Sequence, residues 1–171
     1  MTRNQVLLRR VRLLLILFIL GLVLSGLTAF PLQWELELLA RWMGAGEADS
    51  PGDHAGLAAW IVTVRNGLRD MYARYPWIAY GTDWLGFGIV ILAVLFAGPV
   101  VDPVRNLWVI HFGLFACVAV IPLALICGPI RQIPFYWRLI DCSFGVVGFV
   151  LLWLARKYTL ELARPPAPRR C

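Results

Sequence analysis

Residues 13–30 read LLLILFILGLVLSGLTAF, a run without a charged side chain that follows Arg9, Arg10 and Arg12. At a rise of ~1.5 Å per residue, a helix of this length nearly crosses a ~30 Å hydrocarbon core. It exceeds the ~7–15-residue apolar region of a secretory signal peptide. Its best cleavage motif, Leu27-Thr28-Ala29, puts Leu where a small residue is required. The run therefore reads as a retained membrane anchor. Working outward, residues 84–101, 107–127 and 139–155 form three further apolar runs. Gly98-Pro99 lies where proline caps or kinks the second. Asp102 and Pro103 stand as N-cap and first helical residue of the third, and Pro122 kinks it internally, as membrane helices tolerate. The expected fold is all-α: a four-transmembrane-helix bundle over residues 13–155. A basic tail covers 1–12, a Pro/Arg-rich tail covers 156–171, and an outer loop covers 31–80.

Composition supports this class. The 171-residue chain is 60% hydrophobic and 15% charged, with a mean hydropathy of +0.74. Soluble domains average about 45–50% apolar and about 25% charged residues. Disordered, collagen-like and ordinary soluble enzymatic chains are excluded. The net charge is +6, and fifteen of the sixteen basic residues are Arg. Because these flank apolar runs, they indicate orientation rather than nucleic-acid binding. Four spans place both termini on one side. That side carries ten basic residues, including Arg105 and Lys157, against six on the other: Arg41, Arg65, Arg69, Arg74, Arg131 and Arg138. Both termini are expected in the cytoplasm of a bacterial-type inner (plasma) membrane. Trp77, Trp84, Trp108, Trp137 and Trp153 fall near span ends, as in an interfacial aromatic belt.

The outer loop contains two amphipathic patterns. Trp34, Leu38 and Trp42 recur every fourth residue in 33–44, the pattern of a short helix in the headgroup region. Ser50-Pro51-Gly52-Asp53 has capping-box spacing. A second helix follows to about Tyr72, with Leu57, Trp60, Ile61, Val64, Leu68 and Met71 on its apolar stripe. Arg65, Arg69 and Arg74 lie off that stripe. They either pack this lid or face an anionic ligand or partner.

Familiar catalytic motifs are missing. The four cysteines show no C-x-x-C spacing, and Cys127 and Cys142 are the pair topology could bring together. There are two histidines, His54 and His111. Bis-histidine haem ligation needs a second intramembrane His, and a zinc site needs about three protein ligands. His111 thus reads as a hydrogen-bonded structural residue, and no cofactor or metal is expected. No nucleophile elbow, Walker loop or dinucleotide fingerprint occurs.

The informative cluster lies at the outer membrane boundary. Asp83 opens the second span, Asp141 enters the fourth, and Arg131 and Arg138 sit between the third and fourth. Arg138 precedes Asp141 by three residues, a spacing that lets them pair on one helical face. Gly145 and Gly148 share that face and predict helix contact. Arg131 is then available for Asp83 or for an anion. The cluster is either an Asp–Arg clamp, a ligand site or an acid–base site. The leading expectation is a non-enzymatic inner-membrane protein that binds a small anionic ligand, a lipid or a partner at its outer face, or an accessory subunit. The alternatives are a membrane enzyme using Asp83 and Asp141 on a lipid-like or anionic substrate, and a subunit of an oligomeric transporter. Homo-oligomerisation is compatible with each.

Overall fold

The computed structural model describes residues 3–47 and 49–164. Among them the regular structure is helical, and four stretches are long and apolar enough to cross a membrane: Arg3–Thr28, Pro76–Val101, Leu107–Ile130 and Phe135–Leu162. In order, the α-helices are α1 (Arg3–Thr28), α2 (Leu32–Trp42), α3 (Gly56–Arg74), α4 (Ala79–Leu95), α5 (Ala97–Val101), α6 (Leu107–Ile130) and α7 (Phe135–Leu162). Single 3₁₀ turns, Pro51–Asp53 and Pro76–Ile78, precede α3 and α4.

Local chemistry explains most boundaries. The first helix reaches back to Arg3, because the Arg, Leu, Val and Gln residues before the apolar run are acceptable helix formers and no Pro or Gly interrupts them. Pro99 separates α4 from α5: it cannot donate to the carbonyl of Leu95, four residues earlier, and α4 ends at Leu95. Arg12 then donates from Nε to the Val100 carbonyl (3.0 Å) at the end of α5. Asp102 does not cap α6. It accepts the Arg105 amide (3.0 Å) in a turn, and α6 starts at Leu107 after Asn106, whose side-chain amide donates to the Gly98 and Asp102 carbonyls. Pro122 and Pro129 both lie inside α6. Pro134 marks the start of α7, which extends well beyond the expected run at both ends.

Two helices end in the same motif. After α2, the amides of Gly44 and Ala45 donate to the carbonyls of Arg41 (3.0 Å) and Ala40 (2.9 Å). After α6, Gln132 and Ile133 donate to Pro129 (3.0 Å) and Gly128 (2.9 Å). Both are Schellman turns, whose residue after the cap adopts a left-handed conformation: Gly44 has φ 80° and Gln132 has φ 58°.

The chain divides into two compact units: the described residues of Met1–Gly21 with Leu92–Cys171, and Leu22–Ile91. In the first, α6 packs against α7 through glycines. A Cβ on Gly145 would lie 2.6 Å from the Cys117 carbonyl oxygen, and one on Gly148 would lie 2.8 Å from Cys117 Sγ. The expected glycine face on α7 is thus a helix contact. Gly113 makes room for Phe96 and Leu152, both buried. In the second unit, Gly26 of α1 opposes Gly86 of α4; a Cβ on Gly86 would lie 2.7 Å from the Gly26 carbonyl oxygen. Small residues allow this approach where apolar burial from lipid gives no driving force.

The two loop helices pack on each other. Leu36 and Ala40 of α2 and Ile61 and Val62 of α3 are buried. Trp34 and Trp42, on the stripe expected in the headgroup region, are not buried against α3: they are 63% and 76% exposed. The capping box forms, but on the 3₁₀ turn rather than on α3: the Ser50 amide and hydroxyl both meet Asp53 Oδ2 at 2.8 Å.

Candidate functional site

The opening turns of α4 carry Tyr80, Asp83, Trp84 and Phe87. Their spacing of three, four and seven places them on one helical face. Tyr80 and Trp84 meet edge to face with centroids 5.9 Å apart and planes at 84°. Trp84 and Phe87 repeat this at 5.7 Å and 86°. Phe30, two residues beyond α1, joins them because the Gly26–Gly86 approach brings that helix end close: a Cβ on Gly86 would lie 3.0 Å from the Phe30 ring. These five residues line an open groove of about 250 Å³. Asp83 is half-buried there. The ion pairs of Leu22–Ile91 are Arg41–Glu47, His54–Asp49, Arg69–Glu37 and Arg74–Asp70; among the described residues of this unit Asp83 has neither an ion-pair nor a hydrogen-bond partner. The groove is open and almost wholly apolar, formed by four aromatic residues with Asp83 beside them.

Arg65 and Arg69 hold the polar loop instead of presenting a basic surface. Arg65 is 1% exposed. It donates to the carbonyls of Gly46 (2.8 Å) and Asp49 (3.3 Å) and to Asn66 Oδ1 (3.0 Å), while the Asn66 amide also reaches the Asp49 carbonyl (3.1 Å). Arg69 donates to the Glu47 carbonyl (3.1 Å) and pairs with Glu37 (3.3 Å). A loop without its own secondary structure leaves carbonyls needing donors, and guanidinium groups supply several from one planar head. Side-chain caps complete the loop. The Gly46 amide, then His54, holds the Asp49 carboxyl below the usual range. The Ser50 amide and hydroxyl do the same for Asp53. Gln33, then Arg69, lowers Glu37. Arg74 and Asp70 pair at 2.9 Å, as their spacing implies.

The residues between α6 and α7 behave differently from expectation. Arg138 does not pair with Asp141. Its aliphatic stem packs over Gly128, and its guanidinium carbon lies 5.2 Å from the centre of the Phe135 ring. Its Nε is buried without an acceptor among the described residues. The helix starts at Phe135, so Arg138 sits one turn inside it. Gly128, which lacks a Cβ, gives the stem a seat there that competes with turning toward Asp141. Asp141 is half-buried and Arg131 is exposed. Asp83 belongs to one compact unit and Arg131, Arg138 and Asp141 to the other.

His111 is hydrogen-bonded, as expected: Arg156 Nε donates to its Nε2 at 2.8 Å, linking α6 to α7. Cys117, Cys127 and Cys142 are free thiols, so Cys127 and Cys142 are not bridged. Cys171 lies outside the described residues. The sequence reading placed Asp83 at the boundary but missed its aromatic neighbours. Tyr80, Trp84 and Phe87 were legible as a helical aromatic face; Phe30 was not, because its approach depends on the glycine crossing. No protein-family model, curated protein or solved structure matches the chain.

Proposed function

We propose that the chain is a four-span protein of a bacterial-type inner (plasma) membrane with both termini in the cytoplasm. It acts at its outer face as a non-enzymatic ligand-, lipid- or partner-binding protein or accessory subunit. The observation that carries the membrane reading is the apolar surface on every long helix. Leu20 and Leu24 of α1, Ile91 and Val94 of α4, Phe115 and Ile126 of α6, and Phe144 and Val147 of α7 are each at least 50% exposed. Water-soluble monomers rarely leave such contiguous surfaces uncovered, whereas a bilayer solvates them. The basic-residue excess on the side of the termini supports the orientation. The binding role is supported by the aromatic groove beside Asp83 in the opening turns of α4.

Site-directed labelling tests this reading. Two single-cysteine chains, one retaining Cys171 and one carrying Ser50→Cys, are exposed to a membrane-impermeant maleimide on intact cells. Ser50→Cys reacts and Cys171 reacts only after permeabilisation. Rapid labelling of Cys171 from outside, with Ser50→Cys protected, overturns the orientation.

A further inference from the structure

We propose that the C-terminal end of α7 holds the phosphate of an anionic phospholipid whose acyl chain lies along the same helix. The inference rests on the membrane reading above and adds a second site to it. An open groove of about 410 Å³ is lined there by Trp153, Arg156, Lys157, Leu160, Glu161 and Arg164. Its lining mixes polar and apolar surface, and it carries three cationic side chains against one carboxylate. These cations have few competing partners among the described residues. Arg156 donates from Nε to His111 Nε2 (2.8 Å), which fixes the guanidinium and leaves its terminal nitrogens for a ligand. Lys157 lies over the Trp153 ring, 6.0 Å from its centre, and forms no ion pair. Arg164 is exposed just beyond the helix end. Guanidinium and ammonium groups converging on one groove suit a phosphate, which accepts several charge-assisted hydrogen bonds. The apolar part of the ligand follows from the helix above. Val146, Val150 and Trp153 are 51%, 49% and 47% exposed, and with Lys157 they recur every three or four residues on one face. From Val146 to Lys157 the helix rises ~16 Å, close to half of a ~30 Å hydrocarbon core. A single acyl chain can cover that stripe while its phosphate meets the cations. Membrane orientation accounts for basic residues near a helix end, but not for their meeting in a groove at the foot of an exposed apolar stripe. In the orientation proposed above, this end of α7 lies at the cytoplasmic leaflet.

The test titrates the full, delipidated chain in detergent and counts bound lipid by native mass spectrometry. Dioleoylphosphatidylglycerol binds about fivefold more tightly than dioleoylphosphatidylcholine, which has the same chains but no net charge. Glycerol phosphate, which has the phosphate without the chains, binds about tenfold more weakly than phosphatidylglycerol or worse. Lys157→Gln and Arg164→Gln each weaken phosphatidylglycerol by about fivefold. Arg105→Gln, which removes an exposed arginine that does not line the groove, leaves it unchanged. Glu161→Gln removes the opposing charge and tightens phosphatidylglycerol by about threefold, a gain that a misfolded chain does not give. Equal affinity for the two lipids, or a loss in Arg105→Gln as large as that in Lys157→Gln, overturns the site. Glu161→Gln binding no tighter than wild type also overturns it. Glycerol phosphate binding as tightly as phosphatidylglycerol overturns the lipid as occupant. Because binding in detergent does not depend on orientation, an inverted labelling pattern for Ser50→Cys and Cys171 overturns the orientation and leaves this site standing.

Discussion

The loop after α2 and the turn after α6 end their helices with the same Schellman pattern and then diverge. The first continues into a loop with acidic side chains, whose Gly46, Glu47 and Asp49 carbonyls are bound by Arg65 and Arg69. The second is a short turn that leads straight into α7, and its nearby arginine, Arg138, meets a glycine and an aromatic ring. Both arginines have buried nitrogen atoms, yet their surroundings differ. Arg65 gains backbone and side-chain acceptors for its donors, so its desolvation is offset by charge-assisted hydrogen bonds. Arg138 keeps a buried Nε without an acceptor among the described residues, and what it gains is packing of its stem and a cation–π contact. A buried arginine is therefore structural or available according to the acceptors around it. Spacing in the sequence does not reveal those acceptors.

The largest expected effect comes from breaking the first arrangement. Arg65→Met keeps most of the stem but leaves the Gly46 and Asp49 carbonyls without their guanidinium donors. It should cost about 2–4 kcal/mol. Thermal unfolding in detergent measures the loss, and limited proteolysis between α2 and α3 locates it. Wild-type protease resistance of that loop in Arg65→Met would show that the clasp does not hold it.

A smaller effect separates the two Schellman turns. Gln132 holds a left-handed conformation that Gly44 adopts without a Cβ penalty. Gln132→Gly should stabilise the protein by roughly 0.5–1 kcal/mol, the relief of left-handed strain less the added flexibility of the unfolded chain. A fall in the thermal midpoint would mean that the Gln132 side chain makes a contribution larger than the strain.

The smallest expected effect concerns Arg138 and Asp141. Because they are not paired, Arg138→Ala and Asp141→Ala should combine with a coupling below about 0.5 kcal/mol in a double-mutant cycle. A coupling above about 1 kcal/mol would restore the pair that their three-residue spacing suggests.

Helical structure was legible wherever it depended on neighbours in the chain. Apolar runs marked all four long helices, Pro99 marked the break after α4, and the Ser50–Asp53 spacing marked a cap. These features use hydrogen bonds and steric limits that operate within about four residues. The exceptions were also local but balanced: Asp102 had two nearby turns to cap, and it serves the one before α6. Which face of α2 meets α3 was not legible, because both faces carry apolar residues and only the position of α3 selects Leu36 and Ala40 for burial.

Composition and periodicity thus established an all-helical chain with four membrane-length segments, and charge distribution suggested which way they run. Tertiary structure decided which polar groups meet. Arg65 reaches Gly46 across 19 positions, and Arg156 reaches His111 across 45. Phe30 joins Asp83 because Gly26 and Gly86 allow α1 and α4 to approach, while Gly128 gives Arg138 a seat away from Asp141. The physical reason is range. A helix closes its hydrogen bonds within one turn, whereas a side chain's partner is fixed by how closely distant backbones can pack.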